Sequence, residues 1–302
     1  MFKNIKISPQ LLAIVQAIFV TILWSTSWVL IKFGLEDIPA LTFAGLRYTL
    51  AFLLLLPVYL RKSTSIISLH SLTRRDWTGL VVLGLLYYTI TQGSQFLGLV
   101  YLPAITFSLL LNFTAPIVAL LGLYFLKERL TAVQWLGVGV FLTGVAVYFY
   151  PVLIPPGLAL GFTIAAVNIL AASASSVLGR YINRTARIDA LTVTVVSMGI
   201  GAILLLAVGI AVEGFPSLDI KAWLLVFWLA VVNTALAFTL WNHTLRTLSA
   251  AQSSIINNTM LVQIAILAWL FLGERPDAKA WLGMAIVAVG AVLVNLPAGE
   301  KK

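Results

Sequence analysis

The 302-residue chain has no cysteine, two histidines and only 10% charged residues. The missing thiols exclude disulfides, thiolate nucleophiles, Cys-ligated zinc and iron–sulfur clusters, and His70 and His243 cannot build a metal site unaided. A soluble domain carries about 25% charged and ~45–50% apolar residues. Here 61% are hydrophobic, so the chain is not a water-soluble globule. The ten acidic residues, Glu36, Asp37, Asp76, Glu128, Asp189, Glu213, Asp219, Glu274, Asp277 and Glu300, all fall in loops, tails or helix ends. The spans therefore lack the carboxylates of a proton relay. No Walker-type glycine loop is present to hold ATP, and no nucleophile stands beside a base. No cofactor, metal or enzymatic activity is expected.

What is present is apolar length. Runs long enough to cross a bilayer, at ~20 residues each, fall at about 11–33, 39–60, 77–100, 103–126, 133–150, 157–179, 190–212, 222–245, 249–272 and 280–296. The first exceeds a ~7–15-residue signal-peptide core, so it is expected to be retained. Connections this short leave no room for a soluble domain. With these spans, one face holds fourteen basic residues: Lys3, Lys6, Arg61, Lys62, Arg74, Arg75, Lys127, Arg129, Arg180, Arg184, Arg187, Arg246, Lys301 and Lys302. The other holds four, Lys32, Lys221, Arg275 and Lys279, with Arg47 inside the second span. The net charge of +9 is thus a signal of orientation and not of nucleic-acid binding. It predicts a multi-pass protein of the plasma (inner) membrane with both termini cytoplasmic.

Shifting the chain by 146 residues superposes 77–148 on 223–294 without a gap. Trp77 meets Trp223, Phe125-Leu126-x-Glu128-Arg129 meets Phe271-Leu272-x-Glu274-Arg275, Trp135-Leu136-Gly137 meets Trp281-Leu282-Gly283, Asn112 meets Asn258 and Gly144 meets Gly290. Upstream the shift is 150: Ala40-Leu41-Thr42 meets Ala190-Leu191-Thr192, and Ser25 meets Ser175. The fold expected is an all-α integral membrane protein of ten transmembrane helices in two five-helix repeats, 1–150 and 151–302. Because five is odd, the second repeat enters with inverted topology, an architecture of secondary transporters with a midplane site exposed alternately to the two sides.

The run Leu23-Trp24-Ser25-Thr26-Ser27-Trp28, the triplet Leu46-Arg47-Tyr48 and the twin Phe-Leu-x-Glu-Arg…Trp-Leu-Gly…Gly segments resemble the drug/metabolite transporter superfamily, specifically its ten-helix EamA-type carriers. The resemblance implies 5+5 inverted repeats and export of solutes, often amino acids or related metabolites. Repeat 1 has the family-like Pro116, whereas its mate is Val262. The ninth helix is therefore expected to be straighter than is usual in the family.

A charge at the bilayer centre costs several kcal/mol, ~2.5–3.5 on insertion scales, so each needs a reason. Arg47 lies about 12 Å into its span, and its repeat mate is Ser197. Two readings are open: a guanidinium pairing with a substrate carboxylate or phosphate, and a structural Arg bonded to backbone and polar groups. Thr21, Trp24, Trp28 and Lys32 share one helical face. Trp24 and Trp28, among Ser25 and Thr26, are expected to wall a cavity, while Lys32 snorkels and pairs with Glu36 at i+4. Tyr87, Tyr88, Gln92 and Gln95 in the third span, Asn168, Ser175 and Ser176 in the sixth, Asn233, Thr234, Trp241, Asn242 and His243 in the eighth, and Asn257, Asn258 and Gln263 in the ninth add more polar groups. Some of these bond helices together at ~1 kcal/mol or less each. The substrate-binding set is Trp24, Ser25, Trp28, Arg47, Tyr87, Tyr88, Gln92, Gln95, Asn168, Ser175, Asn233 and Trp241, drawn mostly from helices 1, 3, 6 and 8.

Glu128 and Glu274 each end a span, where a carboxylate can accept N–H groups at a helix start or pair with the adjacent Arg. Gly137 with Gly144, and Gly283 with Gly290, suit close packing of the fifth and tenth helices. The reading is a secondary transporter, an exporter or facilitator of small metabolites, most of all amino acids with apolar or aromatic side chains. Its partners are a small-molecule solute and the bilayer. His243 is the one histidine within a span, open to a proton-carrying role and to a hydrogen-bonded structural one, and downhill movement or exchange is expected. A nucleotide-sugar or other phosphorylated-metabolite carrier is the alternative within transport. A lipid scramblase or non-transporting receptor is the alternative from another class.

Overall fold

The computed structural model describes residues 9–61, 72–125, 131–151, 156–184, 188–244, 247–248 and 256–296. Glu128, Arg246 and the basic residues of the tails lie outside them. Every regular element among the described residues is helical, as a chain without water around its backbone requires. Eight helices are long and apolar enough to cross a membrane: α1 (Pro9–Gly34), α2 (Ala40–Arg61), α3 (Arg74–Tyr101), α4 (Ala104–Leu121), α5 (Ala132–Phe149), α6 (Ala159–Ile182), α7 (Ala190–Glu213) and α8 (Ile220–Trp241). Two shorter apolar helices follow, α9 (Ile256–Leu272) and α10 (Ala278–Val294).

Packing pairs the repeat mates. The α5 and α10 helices lie against each other, as do α2 and α7. Glycine makes the first pair possible: a Cβ on Gly144 would stand 2.6 Å from Val287 N, and one on Gly137 2.6 Å from Val294 N. With no hydrophobic effect to join helices inside lipid, this backbone approach and its dispersion contacts supply the association. The remaining helices exchange between halves. The first helix packs on α8 and α9, while α6 packs on α3 and α4.

Contacts at the two ends define two faces. On one, the Glu213 carboxylate accepts from Leu41 N at 3.2 Å and Thr42 N at 2.9 Å, capping α2. There too Glu274 accepts from Ala104 N at 2.5 Å and Ile105 N at 2.9 Å, capping α4, and Lys279 donates to the Tyr150 carbonyl. Glu274 thus serves a helix start, but that of α4 in the other half and not that of the following helix. Lys32 is half-buried and interacts electrostatically with Glu274. No described ion pair joins it to Glu36, which corrects the i+4 expectation. On the opposite face Gln134 donates to the Val294 and Leu296 carbonyls, and Arg75 donates to Tyr181 Oη at 2.8 Å.

The helices are not regular throughout. In α3, Gly84–Thr91 is π-helical, and in α8, Val231–Leu236 is π-helical. Shifted by 146, the first becomes 230–237 and contains the second. Each holds a threonine whose hydroxyl bonds the carbonyl five residues back: Thr91 to Leu86 at 2.8 Å and Thr234 to Leu229 at 2.8 Å. The ninth helix is interrupted near its start, which the lack of a proline did not lead one to expect. The fourth breaks at Asn112 and Phe113, and the ninth at Thr259, the repeat mate of Phe113. Proline is not what sets the second break: Thr259 N and Oγ1 both donate to the Ile256 carbonyl, at 3.1 and 2.6 Å, and tighten that turn.

Candidate functional site

The two π-helical segments lie where the halves meet, and the first cluster forms around one of them. Arg47 on α2 is 4% exposed. Its Nε donates to Thr234 Oγ1 at 3.0 Å, and Nη2 approaches the Asn233 carbonyl at 3.5 Å. The Thr234 proton is already committed to Leu229, so the hydroxyl oxygen is left as an acceptor for the guanidinium. A π-turn leaves backbone carbonyls without their usual i+4 donors, and the Asn233 carbonyl faces Arg47 instead. No described carboxylate pairs with Arg47.

The Arg47 guanidinium also lies 5.1 Å from the centre of the Tyr48 ring, a cation–π contact. Tyr48 Oη donates to Gln92 Oε1 at 2.5 Å, and Tyr48, Tyr88 and Tyr87 stack edge-on at 5.9 and 4.9 Å. Arg47, Tyr87, Tyr88, Gln92 and Asn233 therefore belong to one connected group. Asn233 is fully buried. Its Nδ2 donates to the Leu23 carbonyl and to Thr26 Oγ1, and because the Leu23 partner can only accept, the amide cannot be turned round. That leaves Asn233 Oδ1 buried without a donor, a costly state unless something fills it.

The second group is aromatic. Trp24 meets Trp241 at 5.2 Å and Phe238 at 5.4 Å, forming a wall where α1 crosses α8. On the other side, Asn168 of α6 donates to the Thr91 carbonyl at 2.6 Å and to Ser94 Oγ at 3.0 Å. Its Oδ1, like that of Asn233, is buried and unpartnered. The remaining expected residues make contacts outside these two groups. Ser25 donates to Gln263 Oε1 at 2.9 Å and ties α1 to α9. Trp28, 6% exposed, packs on Phe107 at 6.0 Å. Ser175 bonds its own helix at Ala172, Gln95 is half-buried with no described bond, and His243 is exposed at the end of the α8 helix.

The EamA-like transporter family matches this chain twice, over residues 11–150 and 159–296. The chain belongs to that family. Among relatives of this EamA-like transporter, YvbV of Bacillus subtilis (strain 168), an uncharacterized transporter, is 26% identical over 94% of this chain and 92% of its own. The "probable terminal-alkyne amino-acid exporter" of Streptantibioticus cattleyicolor is 27% identical over 96% and 94%. YedA of Escherichia coli (strain K12), an uncharacterized inner membrane transporter, is 25% identical over 95% and 92%. A solved crystal structure covers 93% of this chain and 96% of that one with a TM-score of 0.66 at 20% identity, a likeness of fold. The EamA-like chain is accordingly a multi-pass membrane transporter.

Sequence reasoning missed Tyr48, Phe238, Thr91, Ser94 and Phe107 as members of these clusters. Phe238 stands three residues before Trp241 on one helical face, and Tyr48 follows the one deep charge. Those spacings were available signals. The contacts of Thr91 and Phe107 were not, because they depend on which helices cross.

Proposed function

We propose that this EamA-like transporter exports small zwitterionic metabolites, amino acids with apolar or aromatic side chains, by alternating access. Two inverted five-helix halves, divided near residue 150, move about a site between them, with all ten helices crossing and both termini cytoplasmic. The observation that carries the reading is the pairing at α2 and α8: a buried guanidinium with no carboxylate partner among the described residues reaches the backbone of Asn233, whose buried amide oxygen has no donor. A carboxylate and an ammonium on one small molecule would satisfy both.

The repeat supports the apolar part. Trp24, Phe238 and Trp241 correspond, at shifts of 150 and 146, to Ala174, Gln92 and Gln95. Matching positions of the two halves therefore present rings on one side and small or amide side chains on the other, an amphipathic cleft. Exchange packing of α1 on α8 and α9, and of α6 on α3 and α4, is in keeping with a pseudo-two-fold between the halves. The name of the Streptantibioticus relative is in keeping with the substrate class. A single deep guanidinium argues against a diphosphate, which would call for several.

The test is counterflow of radiolabelled phenylalanine, leucine and alanine in proteoliposomes. Trp24→Ala should slow phenylalanine and leucine more than alanine, and Arg47→Gln should abolish all three. Equal slowing of all substrates by Trp24→Ala would make that wall structural. Uptake of nucleotide sugars in preference to amino acids would overturn the substrate class.

A further inference from the structure

A groove of about 570 Å3 runs between α2, α7 and the first turn of α3. Its floor is apolar: Phe52 and Tyr59 from α2, Trp77 from α3, and Gly199, Ile203 and Ala207 from α7 are among the lining residues. Gly199 matters because a Cβ there would stand 2.7 Å from the Phe52 ring, so glycine lets that ring lie into the helix surface. The lining on α7 extends from Val195 to Ala207, about 18 Å at 1.5 Å per residue. That is close to the ~15 Å depth of one leaflet's hydrocarbon.

Two arginines flank the groove at the side of the chain termini. Arg61 follows the lining residue Leu60 at the end of α2, and Arg74 stands one turn before Trp77 on the same side of α3. Both are exposed, and neither guanidinium has a partner among the described residues. Arg74 and Arg75 moreover open α3 at its N-terminus, the positive end of the helix dipole, where cations are unfavourable and anions are favoured. Asp76 offsets part of this while serving the capping box with Thr73. Two arginines without a partner among the described residues, Arg61 at the end of α2 and Arg74 at the start of α3, over a leaflet-deep apolar groove, call for an anion that carries a long hydrocarbon tail.

We infer that this groove seats an anionic phospholipid of the leaflet on the side of the chain termini, with one acyl chain along α7 and its phosphate between Arg61 and Arg74. A second apolar groove, lined by Leu41, Ile90, Leu97, Ile164 and Val208 among others, lies toward the opposite face, beside the α2 start that the Glu213 carboxylate caps, and supplies the internal comparison.

The experiment titrates lipid-depleted full-length protein in detergent with dioleoyl phosphatidylglycerol, dioleoyl phosphatidylcholine or glycerol 1-phosphate, and reads bound lipid by native mass spectrometry. Phosphatidylglycerol should bind tighter than phosphatidylcholine. At about fivefold per arginine near a charged surface, the Arg61→Gln/Arg74→Gln chain should lose about 25-fold of phosphatidylglycerol affinity and no phosphatidylcholine affinity. Both positions are exposed, so the variant keeps the fold, and an unchanged melting temperature without lipid checks this. Ala207→Phe, which fills the deep end, should weaken both lipids, whereas Val208→Phe in the second groove should leave the preference intact. Equal binding of the two lipids by the parent protein would overturn the inference. So would a headgroup preference surviving in the double variant, or competition by glycerol 1-phosphate at the same concentrations as the lipid.

Discussion

Glu274→Gln tests how the halves are held on the face remote from the termini. The carboxylate accepts two backbone N–H groups of α4, at 2.5 and 2.9 Å, from across the repeat boundary. Hydrogen bonds to a charged group are worth about 1.5–3 kcal/mol each, against about 1 kcal/mol for a neutral one. Charge at a helix N-terminus adds ~0.3–1 kcal/mol. Glutamine keeps one acceptor oxygen, so the loss is about 2 kcal/mol. If the contact exists only while this face is closed, that loss raises the fraction open to this face by about 30-fold. The absence of native cysteine makes the measurement clean: Ser108→Cys, buried one turn below the capped N–H groups, is the only thiol in the chain. Its reaction with a membrane-impermeant maleimide applied from that face should accelerate about 30-fold in the Glu274→Gln background. A lowered melting temperature with an unchanged labelling rate would refute the gating role and leave the carboxylate as a helix cap alone.

Other outcomes follow from the same geometry. Gly144→Leu forces a side chain against the Val287 backbone and should destabilise the protein by about 3 kcal/mol or more, while Gly139→Ala, with open space around it, should change the melting temperature by less than a degree. A protease site after Lys302 should be cut only from the cytoplasmic side, and cutting from outside intact cells would reverse the orientation. Flux down a solute gradient should proceed without a pH difference and survive His243→Gln, since that side chain is exposed at a helix end. Accumulation driven by a pH step at zero potential, lost in His243→Gln, would make it the proton carrier.

Much of the helix plan was legible because bilayer crossing demands apolar length. The runs at 39–60 and 190–212 fall within a residue of α2 and α7 at both ends. Glycine spacing foretold the approach of α5 and α10 for a similar reason, since lipid rewards close backbones. The π-helical segments were invisible. They depend on a hydroxyl reaching five residues back and on a neighbour accepting the displaced backbone, and neither has a sequence period. Arg47 stood out as a charge where none belongs, but its partners come from α8 in the other half, and sequence distance says nothing of that crossing. Val262 misled in the opposite direction: without a proline the chain still breaks beside it, because Thr259 supplies the bond.

The paired π-turns restrict how this chain can change. A π-turn is a helix holding one residue more than its length requires, and the two copies align over 77–148 and 223–294 without a gap, so both halves store the same surplus. Deleting one residue from either segment would restore a regular α-helix there. It would also rotate everything beyond by about 100° relative to what precedes it, turning α3 away from α7 or α8 away from α2. The matched surplus is therefore a constraint on length: one residue lost from either segment changes which side chains that helix presents to the other half.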